Sequence, residues 1–207
     1  EFTVTDLVKK IGGVPTVVAW ILDYSDGELV EKEVSFYAQD DDGNVWYLGE
    51  HPEEYEEGNF ITAPTWIHGI ADAHAGIMMT TDPKPGSRSY SQGWGPAVDF
   101  SDRGQVSEVK AEVCTAIECY NDVIVVQEFT KMEPGAFQLK FYAPGVGNIR
   151  VSWQGSDKQR EELELIGVNQ LSPEELAEVR AKALELEEHA YQVSPDVYGL
   201  TEPMTTP

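Results

Sequence analysis

Histidine, carboxylate and thiol side chains carry most of the chemistry open to this chain. Three of its four histidines, His51, His68 and His74, fall in one third of the sequence. His68 and His74 sit in Trp66-Ile-His-Gly-Ile-Ala-Asp-Ala-His-Ala-Gly76, with Asp72 between them. Two imidazoles and a carboxylate form a ligand set for copper, zinc or non-haem iron. Their spacing would place both histidines on one face of a strand, although Gly69 and Gly76 interrupt it, and it matches no HExxH signature. The competing reading is two ordinary surface histidines. Asp40-Asp41-Asp42-Gly43-Asn44 offers a calcium alternative. An EF-hand loop needs a glutamate six residues after its glycine. That position is Gly49, and Glu50 comes one residue late. The run therefore reads as a solvated hairpin tip.

Glu128 is the acid that stands out, because it interrupts the apolar run Val123-Ile-Val-Val-Gln-Glu-Phe-Thr130. Facing inward, its carboxyl would be desolvated and raised in pKa, a candidate catalytic acid or base. Facing water or paired with Lys131 or Lys140, it would be inert. No GxSxG nucleophile motif is present. With 37 acidic residues, paired carboxylates for polysaccharide hydrolysis are always available by chance. Cys114 and Cys119 match neither a CxxC redox pair nor a zinc set. They read either as a small disulfide in an oxidising compartment or as two reduced thiols, and the scarcity of cysteine favours the disulfide. Residues 63–96 are rich in Gly and Pro and lack regular alternation. Long irregular stretches in compact proteins are often functional, so Trp66, Tyr90, Gln92 and Trp94 are candidate ligand-binding residues. Aromatics there would line an apolar pocket or stack on a sugar.

The elements that must position these residues are mostly strands. Val34, Phe36 and Ala38 alternate with polar neighbours, as do Phe137, Leu139 and Phe141, and Ile149, Val151 and Trp153. Period two marks half-buried antiparallel strands. Ser25-Asp26-Gly27, Asp42-Gly43-Asn44 and Pro144-Gly145-Val146-Gly147 are turn sequences. Glu50 to Asn59 is so acidic that it reads as a solvated loop. Ser172-Pro173-Glu174-Glu175 is a capping box with Pro at the first helical position. Leu176, Val179, Ala183, Leu186 and Ala190 follow on one stripe, which predicts a helix over about 173–192. A polar tail with Pro195, Pro203 and Pro207 closes the chain.

The expected fold is mainly β: a curved antiparallel sheet, half-barrel or barrel-like, with one C-terminal α-helix. Residues 1–170 form the β domain, and 171–207 the helix and tail packed on it. Acidic residues outnumber basic ones 37 to 14, for a net charge of −23. Such a surface repels nucleic acid and anionic membranes, whose recognition needs Lys/Arg clusters. No apolar run approaches the roughly 18 residues of a transmembrane segment. The N-terminus shows no leader pattern, which leaves export undecided.

Phe36-Tyr-Ala-Gln-Asp-Asp-Asp-Gly-Asn-Val-Trp-Tyr-Leu-Gly-Glu50 and Phe141-Tyr-Ala-Pro-Gly-Val-Gly147 resemble phrases of a family of bacterial secreted or lipoprotein-type proteins. Ala75-Gly76-Ile77 and Tyr90-Ser91-Gln92 match two more of its phrases, so the resemblance spans about residues 5–168. It implies no established activity. It is broadly similar to lipoprotein-carrier-like proteins, whose curved sheet wraps an apolar cavity beside a helix. Relatives usually begin with an extra strand that has no counterpart before Glu1, which implies a trimmed segment or an open sheet edge. His68 and His74 stand where the family has other polar residues. The reading that follows is an extracellular or periplasmic protein binding a small or apolar ligand, a small molecule or a carbohydrate, in a sheet concavity. The alternatives are an extracellular enzyme, metal-dependent or carboxylate-based, and a homo-oligomer that shares strands.

Overall fold

Alternating apolar residues and tight turns place about half of the chain in antiparallel strands, followed by a single long helix near the C-terminus. The computed structural model describes residues 1–206; Pro207, the end of the expected tail, lies outside the described residues. The expected mainly-β fold is present, divided between two sheets, neither of which closes into a barrel. The chain separates into two compact units. The first comprises Glu1–Ile77, Gly93–Phe100 and 171–206, and the second Met78–Gln92 and Ser101–Gln170.

In the first unit, β1 (Phe2–Ile11), β2 (Val14–Ser25), β3 (Glu28–Gln39) and β4 (Val45–Glu56) form a meander. β5 (Asn59–Thr62) and β6 (Trp66–Ile67) pair with β4, and β7 (His74–Met79) and β9 (Gly93–Trp94) complete the sheet. The turns that set the register are Gly12-Gly13, with φ of 57° and 88°, and Asp26-Gly27, with φ of 52° and 84°. Two successive positive φ values are the type I′ hairpin geometry, which Gly and Asp tolerate. Glu50 to Asn59, expected as a solvated loop, is instead the second half of β4 and the start of β5. Composition misled because His51 and Glu53 are buried in this strand and satisfy one another there.

The helix α1 (Pro173–Val193) carries the expected capping box at Ser172 and Glu175. Of its predicted stripe, Ala183, Leu186 and Ala190 are buried. They pack with Leu7, Ile11, Val18, Trp20, Val34, Phe36, Leu48 and Ile67 of the sheet. Full burial of one such aliphatic or aromatic side chain is worth about 1.5–3 kcal/mol. Polar groups then fix where the helix lies. Lys9 Nζ of β1 donates to Glu187 Oε1 at 2.7 Å and to the Glu202 carbonyl at 2.8 Å. Glu187 Oε1 also accepts from Tyr198 Oη at 3.1 Å and the Met204 amide at 3.0 Å. The tail closes on β1, since Val8 and Thr205 exchange two backbone hydrogen bonds of 2.8 Å.

The second unit holds β8 (Tyr90–Ser91), β10 (Arg103–Cys114), β11 (Cys119–Phe129), β12 (Ala136–Ala143), β13 (Gly147–Gly155) and β14 (Leu163–Glu164). Their spatial order is β14-β13-β12-β11-β10-β8. Cys114 and Cys119 are register partners at the β10–β11 turn and form a disulfide. One face packs Val113, Tyr120, Val123, Val125, Phe141, Ala143 and Ile149 together. β8 pairs with β10 only at Arg103 and Gly104. Beyond them β10 carries a register shift after Val106 and the charged residues Glu108, Lys110 and Glu112, which discourage strand addition. Among the described residues no helix is long and apolar enough to cross a membrane.

Lys9→Met should destabilise the protein by about 3–5 kcal/mol, because it strands the buried Glu187 charge. The double variant Lys9→Met/Glu187→Leu should recover most of that loss. Urea unfolding monitored by far-UV circular dichroism measures both, and a single-variant cost below about 1 kcal/mol would show that the pair does not hold the helix.

Candidate functional site

Strand register gathers the polar residues of the second unit. Tyr90 pairs with Gly104, Gly104 with Glu128, Glu128 with Gln138, and Gln138 with Trp153, across β8, β10, β11, β12 and β13. Paired residues point to the same face of a sheet, so these five form one cross-strand row. Lys140 and Tyr142 continue the same face of β12, because they lie two and four residues beyond Gln138. Gly104 has a steric reason. A Cβ there would lie 2.8 Å from the Tyr90 ring, so the glycine lets the ring lie against the backbone of β10.

Glu128 is buried and faces this row. Its Oε1 accepts from Gln92 Nε2 at 2.5 Å, and its Oε2 lies 2.8 Å from Lys140 Nζ. Both oxygens are thus engaged, and the charge is met by a half-buried cation. Gln92 is 2% exposed. Its Oε1 has no hydrogen-bond partner within the protein, and neither does the buried hydroxyl of Tyr90. Burial and the Glu128 charge push the Tyr90 phenol up to about 12. The same two causes raise Tyr142, with Lys140 partly opposing them, and raise the Asp102 carboxyl. Both phenols are therefore proton donors at neutral pH. Three sequence candidates, Tyr90, Gln92 and Glu128, belong to this one cluster. Asp102, Gly104 and Tyr142 were missed. The alternation of Gln138, Lys140 and Tyr142 against Leu139 and Phe141 was a readable signal for Tyr142 alone.

The other candidates lie in the first unit. Trp66 is 2% exposed, stacked on Phe100 with ring centroids 4.8 Å apart, and is a core residue in this packing. Trp94 is 47% exposed and pairs in register with His74. The His68 and His74 rings are 6.4 Å apart between centroids. His68 Nδ1 accepts the Ala75 amide at 3.1 Å. That assigns its lone pair to Nδ1 and its proton to Nε2, the tautomer that leaves no free nitrogen for a metal. His68, His74 and Asp72 do not bring three ligand atoms together. Among the described residues the one set that does is Glu112, Cys114 and Cys119, whose thiols are spent in the disulfide. Compared with protein-family models, curated proteins and solved structures, the chain has no match in any of the three.

Two further polar networks went unread in the sequence. Glu53 Oε1 receives His189 Nδ1 at 2.6 Å and His51 Nε2 at 3.3 Å, while His51 Nδ1 meets Thr65 Oγ1 at 2.6 Å. The second is a line of acids. Tyr47 donates to Glu50, Trp66 Nε1 donates to the other Glu50 oxygen at 2.9 Å, and Ser35 donates to Glu33. Burial first, and the Glu33 charge second, push Glu31 and Glu50 each up to about 8. A carboxyl protonated near neutrality is a general-acid candidate. The recess beside Trp66, however, has room of about 10 Å³, enough for one water and no substrate. A shallow groove of about 590 Å³ opens elsewhere, along Glu28, Leu29, Lys32, Tyr55, Glu57 and Gly58.

These raised acids give a pH dependence. Carboxyls that titrate near 4.5 when unfolded and near 8 when folded bind more protons in the folded state. Their contribution is complete below 4.5 and is lost as pH rises through 8. Thermal midpoints should therefore fall between about pH 5 and pH 9, and Glu50→Gln should flatten the fall. Melting curves across that range test it; a rising or flat wild-type profile would refute the assignment.

Proposed function

We propose that this chain is an exported binding protein that takes a small polar ligand on the Tyr90–Glu128 face of its second sheet, without chemistry. The observation that carries the reading is the pair of buried, unpartnered atoms, Gln92 Oε1 and Tyr90 Oη. Leaving a buried polar atom unpaired costs about 1–3 kcal/mol. Tyr90 and Gln92 lie two residues apart and both stand against Glu128, so their unpaired atoms form a pair of anchors for an incoming polar group.

Binding fits better than acid–base chemistry at this face. A general acid or base needs an oxygen within reach of its substrate. Glu128 has given one oxygen to Gln92 and the other to Lys140. The Cys114–Cys119 disulfide and the charge of −23 support an oxidising, extracellular or periplasmic setting. The same charge disfavours polyanionic partners.

The test is a thermal-shift screen of sugars, amino acids, polyamines and nucleosides against wild type, Tyr90→Phe and Gln92→Met. At least one compound class should raise the wild-type midpoint, with a smaller shift for Tyr90→Phe and none for Gln92→Met. A screen in which no class shifts wild type, or in which the shifts survive both substitutions, would overturn the reading.

A further inference from the structure

We propose that Glu112, Cys114 and Cys119 form a redox-gated site for a thiophilic divalent cation of the zinc type, closed by the disulfide and opened by a dithiol reductant. The site is independent of the Tyr90–Glu128 face.

Strand register builds the ligand set. Cys114 and Cys119 are partners across the β10–β11 hairpin, and Glu112 stands two residues before Cys114. Alternation along β10 puts Glu112 and Cys114 on one face, and cross-strand pairing puts Cys119 there too. A carboxylate oxygen and the two sulfurs all lie within 4.8 Å of one another, and all three residues are exposed. A tetrahedral zinc ion holds its ligand atoms about 3.5–4 Å apart. The Cys114 and Cys119 Cα atoms are 3.9 Å apart. Once the sulfurs are no longer bonded, rotation about each Cα–Cβ bond reaches the zinc spacing without moving the strands.

The frame does not depend on the sulfur–sulfur bond. On the opposite face of the hairpin, Val113 and Tyr120 belong to the buried apolar group of this sheet. The turn is closed by the Thr115 amide, which donates to the Glu118 carbonyl at 2.8 Å. It is also held from β13 and β14: Arg150 donates to the Cys114 carbonyl at 2.8 Å, and Glu164 accepts the Ala116 amide at 2.6 Å. Reduction therefore frees two thiols that stay side by side. The cations nearby have other carboxylates. Lys110, two residues before Glu112, bonds Glu108 at 2.8 Å, and Arg150 bonds Glu164 at 3.1 Å.

Opening the site is a balanced exchange. A dithiol gives two electrons and two protons to the disulfide; the S–S bond breaks, two thiols form, and the dithiol closes to its own disulfide. The ion then displaces both thiol protons to water. Two thiolates and the Glu112 carboxylate bind it, with the fourth position left to water. Thiolate ligands select zinc or cadmium over calcium and magnesium, which take oxygen. Each sulfur serves either the bond or the ion, so bound metal opposes reoxidation.

The test uses the full chain, reduced with a phosphine under argon and then freed of reductant. Cobalt(II) stands in for zinc, because its bonds to thiolate absorb in the near ultraviolet. The reduced chain should bind one cobalt per chain with that absorbance, and zinc should displace it. The oxidised chain should bind none, and calcium and magnesium should not compete. Cys114→Ser/Cys119→Ser should abolish the signal, and Glu112→Gln should weaken binding at least about tenfold. Far-UV circular dichroism should show the fold kept on reduction and in each variant; a chain that unfolds on reduction sinks the proposal. No binding to the reduced chain, equal binding in both redox states, or one ion shared between two chains would overturn the site. Glu112→Gln binding as wild type binds would overturn the three-ligand set and leave an ordinary dithiol.

Discussion

The buried Lys9–Glu187 ion pair is the constraint on which the first unit depends. Three segments far apart in sequence meet at one carboxylate: β1 through Lys9, the helix through Glu187 itself, and the tail through Tyr198 and Met204. The ammonium also sits 4.1 Å from the centroid of the Tyr198 ring. Burial lowers the Lys9 pKa and the bond to Glu187 raises it, so the two effects oppose within one group. A buried pair of this kind adds little net stability over an apolar one, and it strongly disfavours every arrangement that separates its partners. Sliding the helix by one turn would leave two unmatched buried charges.

That selectivity compensates for a modest apolar stripe. Only Ala183, Leu186 and Ala190 of the helix's apolar residues are fully buried, and two of those are alanines. Small side chains allow close approach and contribute little area. The helix is accordingly fastened by polar side chains along its length. Arg180 bonds Asp6 near the start, Glu187 takes Lys9 in the middle, and His189 takes Glu53 near the end. The Arg180–Asp6 pair is partly exposed and worth little by itself. Glu53, almost wholly buried, gains from three donors, and their bonds outweigh burial to hold its carboxyl below the usual range.

Much of the local structure was legible in the sequence, for reasons that are themselves local. The capping box at Ser172 and the turn at Asp26-Gly27 depend on neighbours within a few residues, and both formed where the pattern placed them. Period-two alternation found β3, β12 and β13. The reading failed at Glu50–Asn59 because the neighbours His51, Tyr55 and Tyr47 only partly satisfy those acids and the remaining partners are remote. Glu53 depends on His189, 136 residues away. The candidate site was half legible on the same principle. Glu128 was conspicuous inside an apolar run, and Gln92 stood near aromatics, but their contact spans 36 residues and exists only through the register of β8, β10 and β11.

The polar face of the second sheet raises a question of economy that bears on function. The opposite face of the sheet buries an apolar group that includes Val123, Val125, Phe141 and Ile149. On this face Glu128, Gln138, Lys140 and Tyr142 stand among the buried Val106, Val126 and Val151, and beside them two buried polar atoms find no partner in the protein. Stability alone favours replacing such a set with apolar residues, since a partly satisfied network is worse than none. A set retained for stability would be expected to close its hydrogen bonds internally, as Glu187 and Glu53 do. Where polar groups fasten the helix they are satisfied, and at Tyr90 and Gln92 they are not, so the second group is arranged toward something other than the fold.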